Sequence, residues 1–250
     1  MPEWFEDESF WIDFYPFMFS QERFEAAKEE VEKAIRLLDF KGSTVLDLCC
    51  GPGRCSFVLA ERGFAVTGVD RTEFLLEKAK TEAEIRGLEI EWIQEDMRDF
   101  VRPESFDLVL SMLTSFGYFD DKQEDIKVLK NIYGNLREGG YCLIDLMGRE
   151  TLARIYQPTH SYDLADGSTL VLRHEIFDDW TRVRNEWILI KGDKATTYRF
   201  HHTIYSGQEL KENLKRVGFE DVRLYGSLDG DDYGFEANRL IVVGHKPRTD

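Results

Sequence analysis

From residue 44 onward, short apolar runs alternate with segments of helical period. Residues 45–48, 65–69, 90–93, 106–111 and 141–146 hold little polar content and read as strands. Residues 54–62, 73–86 and 122–136 lie between them and read as helices. Strands apolar on both faces and separated by helices predict a parallel sheet covered on both sides. Upstream, Ser20 reads as a helix N-cap, followed by Phe24, Ala27, Val31, Ile35 and Leu38 at helical spacing through Asp39. Residues 1–19 are dense in aromatics (Trp4, Phe5, Phe10, Trp11, Phe14, Tyr15, Phe17, Phe19) but show no clean helical or alternating period. Such rings must lie against apolar surface, either packed on the main body or as a lid over a ligand.

After residue 150 the pattern changes. Residues 168–177, 182–190 and 194–205 read as three strands joined by turns at 178–181 and 192–193, an antiparallel insertion. Ser206 and Glu209 form a capping box that opens a helix through Val217, closed by Gly218. Two last strands, 220–225 and 238–245, flank a loop rich in Asp and Gly. The organisation expected is an N-terminal aromatic lid and helix at 1–39, a main domain at 40–150 and 206–250, and an inserted antiparallel β region at 151–205. There is no internal repeat and no low-complexity linker.

Charge narrows the partners. With 48 acids against 32 bases, the net charge is −16, and no run of Lys or Arg stands out. Binding to DNA, RNA or anionic membranes needs cations, so those partners are disfavoured. The N-terminus is interrupted by acids and reads as neither a signal peptide nor a membrane span. Three of the four cysteines crowd at 49, 50 and 55. That spacing is no disulfide framework, and adjacent cysteines without a nearby His suit no zinc ion. Reduced thiols, a cytoplasmic location, no metal, and a monomer or homodimer are expected.

The chemistry concentrates where strands end. Asp47 closes the first strand, and Cys49-Cys50-Gly51-Pro52-Gly53 leads into a helix. Glycines let a ligand approach the backbone, and the following helix presents free N–H groups to it. Asp70 closes the second strand, where an acid can accept hydrogen bonds from both ribose hydroxyls. Asp96 and Ser111 also fall at strand ends, and ligands bind such sheets there. A dinucleotide loop would show G-x-G-x-x-G, but Ser56 stands where the third glycine belongs, which disfavours a dehydrogenase.

VLDLCCGPGR, GVD, EDM, FDLVLSM and LREGGYCLID, in this order over roughly residues 40–150, resemble a class I S-adenosylmethionine-dependent methyltransferase. The resemblance implies an α/β, Rossmann-like seven-stranded sheet, mostly parallel with the last strand antiparallel, carrying an inserted three-stranded antiparallel sheet. It implies S-adenosyl-L-methionine as cofactor and S-adenosyl-L-homocysteine as product. Carried over, Asp47, Gly51 and Gly53 line the methionine moiety, with Cys49 standing where the family usually has glycine. Asp70 holds the ribose, Arg71 lies beside the adenine, Asp96 accepts from the adenine amino group, and Met97 packs on the ring. Ser111 and Met112 pass under the sulfonium.

The segment 112–119 lacks the Asn/Asp-Pro-Pro-Tyr/Phe signature of nucleobase or glutamine methylation. Its aromatics suit a compact, partly apolar acceptor pocket. Tyr15, Phe116, Tyr118, Arg199, His201 and Tyr205 are the candidate pocket residues, with His201 and Tyr118 as candidate catalytic groups. Strand alternation sets His201 on the face of Arg199 and Tyr205, and His202 with Tyr198 and Phe200. His202 and His174 read as sheet residues. The insertion resembles that of small-molecule N- and O-methyltransferases, so a small-molecule acceptor is expected. A cofactor-binding protein without transfer activity, and a tRNA or protein methyltransferase, stay open as alternatives.

Overall fold

The computed structural model describes residues 3–248. Seven strands form one sheet: β1 (Thr44–Leu48), β2 (Ala65–Asp70), β3 (Glu91–Gln94), β4 (Phe106–Ser111), β5 (Leu136–Leu146), β10 (Glu220–Tyr225) and β11 (Leu240–His245), in the spatial order β10-β11-β5-β4-β1-β2-β3. All neighbours from β5 to β3 are parallel, whereas β11 runs antiparallel to both β5 and β10. The chain leaves β1 for β2 on one side and returns as β4 on the other. The carboxyl ends of β1 and β4 therefore flank the switch in strand order, where open α/β sheets bind ligands.

Alternation along the strands fills two cores. Val45, Leu108, Leu110 and Leu143 face α2 (Gln21–Leu37) and α3 (Arg54–Glu61), meeting Ala27, Val31 and Leu59. Leu46, Leu48, Val109 and Ile144 face the opposite layer, where α5 (Lys122–Asn135) and α7 (Gly207–Val217) bring Val128, Leu129, Ile132, Leu210 and Leu214. Both faces are buried, which is why these strands read as continuous apolar runs. The Ser206–Glu209 capping box opens α7 as expected, and Gly218 closes it. The layer beside β2 and β3 is completed by α4 (Glu73–Arg86).

The insertion departs from the expectation. A short helix, α6 (Arg149–Ile155), precedes four antiparallel strands rather than three: β6 (Thr159–Asp163), β7 (Thr169–Phe177), β8 (Arg182–Lys191) and β9 (Lys194–Thr203). β6 is polar and mostly exposed, so no alternation announces it. It pairs with β7 along one edge, Thr159 opposite Arg173 through Asp163 opposite Thr169.

The aromatic N-terminus is also more ordered than its sequence suggests. α1 (Glu8–Met18) starts at Asp7, whose carboxylate accepts from the Ser9 N–H at 3.0 Å, and it tolerates Pro16 inside. Its rings serve three neighbours at once. Phe10 and Phe14 are fully buried against Leu170, Leu172, Leu189 and Phe200 of the inserted sheet. Tyr15 meets Phe74 of α4 edge-on, and Trp11 faces a cavity described below. A helix buried on several sides shows no single apolar stripe, which explains the missing period.

Candidate active site

The loop after β1 turns sharply. Cys49 (φ 62°), Gly51 (φ 55°) and Gly53 (φ 85°) all adopt left-handed backbone before α3 begins. At Gly53 a Cβ would come within 2.7–2.9 Å of Trp92 and Phe57, so no side chain fits. Cys49 takes the same region with a side chain, at a cost of about 1 kcal/mol. The neighbouring acid holds the loop in place: Asp70 Oδ2 accepts the Gly51 N–H at 2.8 Å, and Oδ1 accepts the Thr72 N–H at 2.9 Å. Burial raises the Asp70 carboxyl pKa, and these backbone donors oppose the rise.

Asp47 is buried and accepts from Ser56 Oγ at 2.5 Å; burial pushes its carboxyl up to about 6. Nearby, buried Arg54 donates to the Arg23 carbonyl at 2.6 Å and to Glu30 at 2.8 Å. That leaves Arg23 as a cation at the cavity wall, its guanidinium over the Phe17 ring at 5.7 Å and without a carboxylate partner among the described residues.

Past β3, Asp96 is saturated. Oδ1 accepts from the Arg98 N–H and Nε at 2.8 and 2.9 Å, and Oδ2 accepts from Arg98 Nη2 and Arg71 Nη1 at 2.8 and 2.7 Å. Burial raises its carboxyl, but Arg98 and Arg71 outweigh that and hold it low. Four donors occupy the lone pairs a carboxylate offers. Asp96 lines the cavity and positions both Arg71 and Arg98. Arg71 also bonds Glu6 of the N-terminal segment and lies over the Phe5 ring at 5.3 Å.

After β4, Leu113 (φ 59°) and Thr114 (φ 63°) form a second left-handed pair. Buried Asp145 of β5 holds it. Its Oδ2 accepts the Leu113 N–H at 3.0 Å, its carbonyl accepts the Thr114 N–H at 2.8 Å, and Arg239 Nε donates to Oδ1 at 2.7 Å.

These segments enclose a cavity of about 230 Å³ at the carboxyl ends of β1, β2 and β4. Asp47, Cys49, Gly51, Asp70, Arg71, Asp96, Met97, Met112 and Tyr118 line it, so the structure brings together most of the residues read from the sequence. Gly53 and Ser111 lie just outside the lining, Gly53 under Phe57 and Trp92 and Ser111 buried within β4.

The acceptor-side residues fare differently. His201 points away from the cavity and pairs with Asp120 at 2.7 Å, while Arg199 pairs with Glu186 on the outer face. Alternation separated His201 from His202 correctly, but the cavity lies on the side of His202. Its ring contacts Tyr118 at 4.9 Å. Tyr205 and Phe116 are core residues in mutual contact, with Tyr205 donating to Asp125 at 2.7 Å. Tyr15 packs on Phe19 and Phe74 instead. Trp4, Phe5, Trp11, Arg23, Leu113 and Phe119 also line the cavity; the aromatic density of residues 1–19 signals the first three, the aromatics of segment 112–119 signal Phe119, and nothing local signals Arg23 or Leu113.

Comparison with known proteins fits this arrangement. Residues 45–140 match the family model described as a methyltransferase domain. A putative methyltransferase of Geobacillus sp. (strain WCH70) is 30% identical, covering 97% of this chain and 99% of its own length. The chain belongs to the methyltransferase family. Among solved structures, an S-adenosylmethionine-dependent methyltransferase from Clostridium acetobutylicum ATCC 824 superposes with a TM-score of 0.80, at 16% identity over 96% of this chain and 99% of that one. The sugar N-methyltransferase KedS8 from Streptoalloteichus sp ATCC 53650 gives 0.71, at 20% identity over 94% and 91%. This methyltransferase has the class I fold, and its cofactor is S-adenosylmethionine. Among the described residues, no helix is long and apolar enough to cross a membrane.

Proposed function

We propose that this methyltransferase acts on a nitrogen or oxygen of a small molecule, and that the cavity at the strand ends receives the cofactor with the acceptor beside it. The observation that carries the reading is the roof. Trp4, Phe5, Trp11 and Phe19 of the N-terminal segment close the cavity from above, which suits a small ligand better than a duplex or a folded protein surface. On this reading residues 1–39 supply a lid, and the inserted sheet at 151–205 is the platform on which α1 rests. Likeness to a sugar N-methyltransferase supports the same acceptor size.

The residues fit the cofactor. Asp70 keeps lone pairs beyond its two backbone donors and faces the cavity, where ribose hydroxyls would donate to it. Asp47 and the Gly51 turn would receive the methionine moiety, the ammonium keeping Asp47 ionised despite its burial. Arg23 would take the carboxylate. Arg71, Met97 and Phe5 would enclose the adenine, and Met112 would pass beneath the sulfonium. Bound there, S-adenosylmethionine supplies an electrophilic methyl group for in-line displacement. The chain's part is to position both reactants and exclude water.

Incubation with methyl-labelled cofactor and a fractionated metabolite extract tests the reading. Label in a small-molecule fraction, lost in Asp70→Ala, is the expected result. Label recovered only in protein or RNA would refute it.

A further inference from the structure

The two sides of the cavity differ in chemistry. Every charged side chain in its lining (Arg23, Asp47, Arg54, Asp70, Arg71, Asp96) stands on α2, on α3 or at the carboxyl ends of β1, β2 and β3 and the residues just after them. The facing wall is built from Trp4, Trp11 and Tyr118, with Leu113 beside them. These rings are fixed in advance. Trp4 stacks on Phe200 at 4.5 Å and 24°, and meets Tyr118 at 5.1 Å and Trp11 at 5.8 Å. The Trp11 indole N–H donates to the Phe5 carbonyl at 2.9 Å.

Cations already sit on two of the three other rings of this cavity, Phe19 being the third. Arg71 lies over Phe5 and Arg98 over Phe119, at 5.3 and 4.4 Å. Over Trp4, Trp11 and Tyr118 no Arg or Lys lies among the described residues, although indole is the strongest π partner for a cation. We infer that these three rings receive the charge of an amine acceptor: the nucleophile is a neutral amine, and its product is an ammonium caged by Trp4, Trp11 and Tyr118. This rests on the small-molecule reading above and decides between nitrogen and oxygen within it.

The charge balance supports nitrogen. The amine lone pair forms the new N–C bond while the C–S electrons return to sulfur, leaving neutral S-adenosylhomocysteine. The positive charge passes from sulfur to nitrogen, and a primary or secondary amine then releases a proton to water. No carboxylate is needed, and aromatic faces stabilise the moving charge throughout. An oxygen acceptor must instead lose its proton to a base as it reacts. The titratable group on this wall is Tyr118, whose phenol burial pushes up to about 12 and keeps protonated. His201 is turned outward to Asp120, and His202 stands behind the Tyr118 ring rather than in the cavity lining.

The test uses choline chloride and its uncharged isostere 3,3-dimethyl-1-butanol. Each is titrated into the full chain saturated with S-adenosylhomocysteine and read by indole fluorescence and calorimetry. Choline is expected to bind about tenfold or more tightly than the isostere, the margin cation–π contacts supply. Trp11→Leu is expected to erase most of that margin, and Tyr118→Phe, which keeps the ring, to retain it. Equal affinity for the two probes, or binding of neither while S-adenosylhomocysteine binds normally, would overturn the inference. Failure of S-adenosylhomocysteine itself to bind would instead bring down the cofactor site on which it rests.

Discussion

Asp70 Oδ2 accepts the Gly51 N–H at 2.8 Å, joining the carboxyl end of β2 to the loop that follows β1. The two residues lie 19 positions apart, and their bond makes one rigid rim of two strand ends. A carboxylate pinned by two backbone donors cannot turn away from the cavity, so its free lone pairs are aimed before any ligand arrives. Preorganisation of this kind reduces the ordering cost of binding.

Arg23 completes the opposite end of that rim. Its guanidinium has no carboxylate partner among the described residues, and it is expected to pair with the methionine carboxylate of the cofactor. Arg23→Ala should weaken S-adenosylhomocysteine about tenfold, in the range for a charge-assisted hydrogen bond, and leave adenosine affinity unchanged. Calorimetry with both ligands separates the outcomes. Equal losses for the two would show that Arg23 only supports the fold.

Cys49 carries a side chain through left-handed backbone, with its sulfur 3.6 Å from Met97 Sδ. Cys49→Gly removes the strain and loses that contact, so its stability should stay within about 1 kcal/mol of the parent. A β-branched side chain tolerates this region poorly, so Cys49→Val should lose about 2 kcal/mol. Urea midpoints at constant slope check both values.

Asp125 is fully buried, and burial lifts its carboxyl to about 7 even though Tyr205 donates to it. A raised acid pKa means the folded chain binds the proton more tightly than the unfolded one. Asp125 therefore contributes most below about pH 4, the ordinary range for a carboxyl, and that contribution is lost as pH rises toward 7. Asp125→Asn should flatten this dependence: relative to the parent it should gain stability from pH 4 to pH 8. Parallel urea curves at the two pH values, with an unchanged difference between the proteins, would contradict the assignment.

Much of this was legible in the sequence, for physical reasons. Strands buried on both faces, such as β1 and β4, leave uninterrupted apolar runs, and the strand-end acids Asp47 and Asp70 follow from them. β6 was hidden because Thr159–Asp163 buries little. α1 was hidden because its rings face three partners. The parity of His201 and His202 was readable, but which face looks into the cavity depends on where α1 docks, and nothing local encodes that. The Asp145–Arg239 pair spans 94 residues and belongs to tertiary structure alone.

The central claim is that the β1 loop and Asp70 bind S-adenosylmethionine, and titration calorimetry with S-adenosylhomocysteine tests it most directly. The parent should bind with a stoichiometry near one, and Asp70→Ala, folded by its cooperative urea transition, should bind about 30-fold or more weakly through loss of hydrogen bonds to a charged acceptor. Equal affinity in the two proteins would contradict the claim.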